Sequence, residues 1–177
     1  MVELARHYLA MGKDGIARVY LEQAVEAGGD LTAQAHAELA AIFAKQGGGR
    51  IFQERKEDHL KRAAVLGDVP SQILYAVILL DRAKEGDGSV DTSIAVRLLE
   101  HANKSSGSPE AAFQLGRAYL LGQGLPVKVG VGQSWLVKAA QAKHPEAAYL
   151  LGDYAAKRGY TEDARGFLEM AVQNGSG

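Results

Sequence analysis

The sequence predicts an all-α protein, a right-handed α-solenoid of about five helix-turn-helix repeats, and three observations carry that expectation. The phrase "PEAAFQLGRAYLLGQG", starting at Pro109, returns thirty-six residues later as "PEAAYLLGDYAAKRGY", starting at Pro145. Leu-x-x-Ala recurs at Leu21-Ala24, Leu60-Ala63, Leu99-Ala102, Leu136-Ala139 and Leu168-Ala171, in steps of 39, 39, 37 and 32 residues. No stretch alternates apolar and polar residues with the period of two that a half-buried strand shows. One helical hairpin cannot bury its apolar face alone, so a hairpin that recurs at this spacing is expected to stack on its neighbours.

Each repeat opens with a second landmark. It is a hydrophobic residue, a small one, then an apolar or aromatic residue three positions on. The instances are Leu4-Ala5-Tyr8, Leu39-Ala40-Phe43, Tyr75-Ala76-Leu79, Leu115-Gly116-Tyr119 and Leu151-Gly152-Ala155. The outer two residues lie four apart, on one helical face, and the small one between them admits a neighbouring helix. Gly12, Gly47, Gly86, Gly122 and Gly159 are expected to end these first helices in the left-handed conformation. "SPEAAF" predicts Ser108 as N-cap, Pro109 at the first helical position and Glu110 in the first turn. Thr161 is the expected cap of the last helix, and His144 a poorer one for the helix before it. The repeats are placed at about 1–30, 31–69, 70–107, 108–144 and 145–177 in a single solenoid. Leu4 already stands mid-helix and "QNGSG" offers no capping helix, so the chain reads as part of a longer array.

Composition narrows the function. Of 177 residues 47% are hydrophobic, enough for a core, and the net charge is −1 with a pI near 6.5. That balance gives no sequence-wide reason to expect nucleic acid as a partner. Without cysteine there is neither a disulfide framework nor a thiolate metal site. No apolar run reaches the ~18 residues of a membrane span. Glu3, Arg6 and His7 interrupt the opening apolar residues, against a secretory leader there.

Chemistry-bearing motifs are missing. The five histidines are scattered with no ligand spacing, no Gly-x-Ser-x-Gly elbow occurs, and His101 reads as a solvated side chain. "GQGLPVKVG" and "AKQGGGR" lack the Gly-Lys-Ser/Thr ending of a phosphate loop. "DGSVD" at 87–91 lacks the length and terminal Glu of a calcium loop. The expectation is no catalysis, no cofactor and no metal. The charged run Arg50–Arg62 reads as an ion-pair-laced helix start. Trp135 is expected at the start of a second helix, in the core.

The first landmark followed by Leu-x-x-Ala resembles the tetratricopeptide repeat. "AAFQLGRAYLLGQG … SWLVKAAQAKHPEAA" is similar to its longer relative, the Sel1-like repeat. Landmark separations of 17 residues (Leu4 to Leu21, Leu151 to Leu168) match the former length. Separations of 21 (Leu39 to Leu60, Leu115 to Leu136) match the latter, and Tyr75 to Leu99 is 24, a longer first helix or turn. An Ala stands four residues before the Leu at Ala17, Ala95 and Ala164, but Lys56 and Gly132 depart from that pattern, and the loop before Gln133 lacks the usual acidic residue.

The resemblance implies a non-catalytic protein–protein interaction scaffold whose first helices line a concave binding face. Carried over position by position, that face comprises Arg6, Lys45, Val77, Asp81, Phe113, Arg117, Tyr149, Asp153 and Lys157. Arg117 and Asp153 occupy equivalent places in adjacent repeats and could pair with each other. The mixture of unit lengths further resembles the outer-membrane lipoprotein scaffolds of alginate secretion. That implies a periplasmic setting, with an exopolysaccharide-modifying enzyme and an outer-membrane porin as partners. A cytosolic or secreted Sel1-like adaptor and a direct carbohydrate-binding module stand as the alternatives.

Overall fold

The computed structural model describes residues 1–47 and 49–175. Ten α-helices follow in order, with no strand among the described residues. They are α1 (Val2–Ala10), α2 (Asp14–Ala27), α3 (Thr32–Lys45), α4 (Arg50–Val65), α5 (Val69–Lys84), α6 (Thr92–Ser106), α7 (Pro109–Leu121), α8 (Val129–Gln141), α9 (Pro145–Lys157) and α10 (Thr161–Gln173). The chain divides into two compact units, Met1–Tyr75 and Ala76–Gly177, and α5 runs through the division.

In the first unit α1 packs with α2 and α3 with α4, and α2 lies against α3. In the second, α7 packs with α8 and α9 with α10, while α6 meets α7 and α8 meets α9. This is the expected hairpin-on-hairpin order. Leu21, Leu99 and Leu136 are fully buried, Leu60 nearly so, and every Ala of the Leu-x-x-Ala phrase is buried with them. Each such leucine contributes roughly 1.5–3 kcal/mol by leaving water. Leu4 and Leu168 depart from the pattern, at 42% and 36% exposure. They stand on α1 and α10, whose principal neighbours are single helices, α2 and α9, so one flank of each stays uncovered.

The small residue of the first landmark works as anticipated. A Cβ on Gly116 would lie 2.6 Å from the Leu136 side chain, and one on Gly152 would lie 2.7 Å from Leu168. In these two repeats the Leu of the second helix therefore drops onto the bare backbone of the first. Gly132, which stands where three other repeats have Ala17, Ala95 and Ala164, also admits a close approach. Its Cβ would sit 2.6 Å from the amide nitrogen of Leu120 and 2.9 Å from the carbonyl oxygen of Gly116.

The five predicted turn glycines all take positive φ. Gly122 shows why: it caps α7 at φ 68°, donating its amide to the Ala118 carbonyl, and a Cβ there would meet Val127 at 2.8 Å. Ser108 caps α7 through its hydroxyl, which accepts from the Ala111 amide at 3.3 Å, with Pro109 first in the helix. The long third unit is explained by both α5, sixteen residues, and the turn that precedes α6.

Two local expectations are corrected. Thr161 is the first residue of α10, not its cap; Tyr160 holds the cap position and makes no side-chain cap bond. α8 begins at Val129, so Trp135 lies mid-helix, half-buried against the second unit's core with the Lys138 ammonium 5.0 Å from its ring centre. The two glycines in "VGVG" disfavour a helix by propensity, but one of them, Gly132, is needed for the approach of α7.

Candidate functional site

In α7, Phe113 and Arg117 lie one turn apart on the same face. The Arg117 guanidinium sits 5.6 Å from the Phe113 ring centre. Phe113 also stacks on the His144 imidazole, 4.4 Å between centres and 18° between planes. His144 precedes α9 without capping it. Its Nε2 instead meets Glu110 Oε2 at 2.9 Å, while Nδ1, 3.3 Å from Glu146 Oε2, has no hydrogen-bond partner. Gln114 donates to the other Glu110 oxygen at 2.5 Å. Burial pushes the Glu110 carboxyl up, but the bonds from Gln114 and His144 and the charge of Arg117 outweigh it and hold the group below its ordinary value.

Arg117 shares with Arg18 a buried Nε without a hydrogen-bond acceptor. The nearby acid Glu110 is engaged by Gln114 and His144, and Asp153 takes the Lys157 ammonium at 2.7 Å, which raises the lysine pKa. Asp153 thus answers to its own helix. Tyr149, the α9 counterpart of Phe113, is 55% exposed.

The remaining predicted residues are placed differently. Asp81 is exposed on α5 and Val77 half-buried. Arg6, in the first unit, is held by Glu38 at 2.5 Å, Glu3 at 2.8 Å and Gln34 at 3.2 Å, and the bond to Glu38 raises its pKa. Lys45 approaches Asp14 at 3.7 Å. Arg6 ties α1 to α3 and Lys45 ties α3 to α2. Of the predicted residues, Phe113 and Arg117 meet each other in α7, Tyr149 is exposed on α9, and Asp153 and Lys157 pair within α9.

One cluster escapes the sequence reading. His36 of α3 and His59 of α4 meet Nδ1 to Nδ1 at 2.9 Å, one nitrogen donating to the other. His59 stacks on Phe43, 5.5 Å and 8°, and Arg55 lies 5.6 Å from that ring. Burial pushes both imidazoles down, His59 to about 4. The available signal was register: His36 stands three before Leu39 and His59 one before Leu60. The charged run around them does form ion pairs, Arg50 to Glu54 at 2.7 Å and Arg62 to Asp58 at 2.9 Å. Among the described residues no group of three His, Cys, Asp or Glu could hold a metal ion, and no helix is long and apolar enough to cross a membrane.

No protein-family model matches the sequence, and no curated relative matches it. Solved structures do match. The chain superposes on c5321, a protective antigen of uropathogenic Escherichia coli strains displaying an SLR fold, at TM-score 0.66 and 25% identity over 89% of its length. The fold is that of Sel1-like repeat proteins. A Sel1 repeat protein from Klebsiella pneumoniae agrees, at TM-score 0.58 and 20% identity, covering 99% of this chain and 86% of that one. MamA matches at TM-score 0.66 and 13% identity, over 96% of this chain and 93% of its own, a likeness of fold alone. The chain spans 33% of the length of the Escherichia coli antigen.

Proposed function

We propose that this chain is a non-catalytic scaffold that binds a protein partner through the first-helix face of α7 and α9. The observation that carries the reading is the Arg117 guanidinium 5.6 Å from the Phe113 ring centre on α7, with Tyr149 55% exposed at the equivalent place on α9. Arginine and aromatic residues are also the types that anchor protein interfaces. The Sel1-like repeat structures that this fold matches support an interaction scaffold.

Within that reading we place the chain in the periplasm, as part of a scaffold resembling AlgK, the alginate-secretion lipoprotein. It would hold an exopolysaccharide-modifying enzyme and an outer-membrane porin together. What supports this placement is the mixture of 17-residue and 21-residue landmark separations in one array. Affinity capture from separate envelope and cytosolic extracts tests it, with an Arg117→Glu/Tyr149→Ala chain as control. Capture of an envelope export enzyme, lost with the control, is the expected result. Purely cytosolic partners would remove the secretion placement. Recovery of polysaccharide without protein would replace the scaffold by a carbohydrate-binding module.

A further inference from the structure

We infer that the first unit carries a pocket for an aromatic side chain of a partner protein, in the cavity where α3, α4 and the start of α5 meet. The proposal rests on the interaction-scaffold reading and adds a second, chemically different contact to it.

The argument begins with register. Leu39 and Leu115, Leu60 and Leu136, and Tyr75 and Leu151 are each separated by 76 residues. Ala37 therefore corresponds to Phe113, Ala41 to Arg117 and Asp68 to His144. In the second unit those three positions hold a phenyl ring stacked on an imidazole with a guanidinium beside it. In the first unit they hold two methyl groups and a short carboxylate, and a cavity of about 250 Å³ opens at the same place. Ala37, Ala40 and Ala44 of α3, Leu60 of α4, and Pro70 and Leu74 of α5 supply apolar walls. Leu74, 55% exposed, stands at the mouth.

The second unit thus displays what the first can accept. Phe113 is part of its own chain; in the first unit a ring of that kind has to come from outside. Size agrees, because an apolar cavity of about 150 Å³ already takes up benzene. Chemistry agrees as well. The polar groups at the cavity are few: Lys56, Ser71 and Asp68, whose Oδ2 already accepts the Ser71 amide at 2.9 Å. A sugar would find too few hydrogen bonds there, whereas a phenyl ring needs none. Ala37 and Ala41 also occupy the first-helix positions that bear Phe113 and Arg117 in the second unit, so the occupant is a partner polypeptide presenting Phe or Tyr.

The test uses the whole chain with labelled alanine and leucine methyl groups, titrated with N-acetyl-L-phenylalaninamide and, in parallel, N-acetyl-L-leucinamide. For a ligand this small a Kd of order 1 mM is expected. The aromatic amide should shift the methyl resonances of Ala37, Ala40, Leu60 and Leu74 saturably, and the leucine amide at least several-fold more weakly. Ala37→Phe, which places the ring within the chain, should abolish those shifts and raise Tm. Leu74→Ser at the exposed mouth should weaken them several-fold without unfolding the unit. Equal binding of both amides, no shift at these methyl groups, or shifts that survive Ala37→Phe would overturn the pocket. Those outcomes are separable from failure of the scaffold reading, which depends on Arg117 and Tyr149 in the other unit.

Discussion

The α3–α4 pair of the first unit and the α7–α8 pair of the second share one set of landmarks and solve the packing between them differently. In the second, Gly116 and Gly132 bring backbone against backbone, so that a Cβ on Gly132 would overlap the Leu120 amide. In the first, Ala40 and Lys56 stand at those places and both border the cavity of about 250 Å³. At another matched pair of positions, His36 and His59 meet where the second unit has Ala112 and Trp135. Leucine and alanine at the landmarks keep the register. The residues that flank them decide whether the first-helix face is filled from within or left open.

The comparison breaks most visibly at its glycine. Gly132→Ala should destabilise the second unit by about 3 kcal/mol, because backbone atoms cannot rotate aside as side chains can. Lys56→Ala, at the matching position, should change stability by less than ~0.5 kcal/mol. Urea midpoints of the two variants, read by circular dichroism, measure the contrast. Equal effects would mean that the two pairs are packed alike.

The histidine pair supplies the next effect. Burial, the neighbouring His36, and the positive Arg62 and Arg55 all lower the His59 pKa, and only Asp58 opposes them. The folded state therefore holds a neutral imidazole, while the unfolded chain takes up a proton near pH 6.5. Stability is full above that pH and declines as pH falls towards 4, by about 2 kcal/mol in all. His59→Trp, which copies Trp135, should flatten that decline between pH 7 and 4. An unaltered pH profile would remove the pair from the account.

The smallest effect sits in a turn. Lys143, at φ 64°, is the one non-glycine residue with positive φ among the described residues, and its first-unit counterpart is Gly67 at φ 94°. Lys143→Gly should stabilise the chain by about 1 kcal/mol, since the left-handed conformation penalises a side chain. A loss in thermal unfolding would show that the Lys143 side chain contributes more than its backbone costs.

These contrasts also show where the sequence was readable. Leu21, Leu60, Leu99 and Leu136, with their alanines, announced the core, because a helical period repeated at near-constant spacing has few other meanings. The turn glycines were legible for the same reason that Gly122 has positive φ: other residues are strained there. Boundaries set by tertiary contact were not. Nothing local says that "VGVGQSW" is helical when its glycine exists to let α7 approach. The candidate face was legible in register but not in availability. Arg6 and Phe113 have equal claims in the sequence, yet Glu38, thirty-two residues away, occupies Arg6. His144 reaches Glu110 across thirty-four residues, and His36 reaches His59 across twenty-three. Such meetings depend on how hairpins stack, which single-residue spacing does not encode.

The central claim, that first-helix faces bind a protein partner, is tested most directly by site-specific photo-crosslinking in the organism that carries the chain. Benzophenone side chains would replace Tyr149 and Ala41 on first helices, and Val65 and Val131, both exposed, on second helices. Discrete protein adducts from positions 149 and 41, with none from 65 and 131, are the predicted result. Adducts confined to 65 and 131 would place the partner on the second helices and contradict the account.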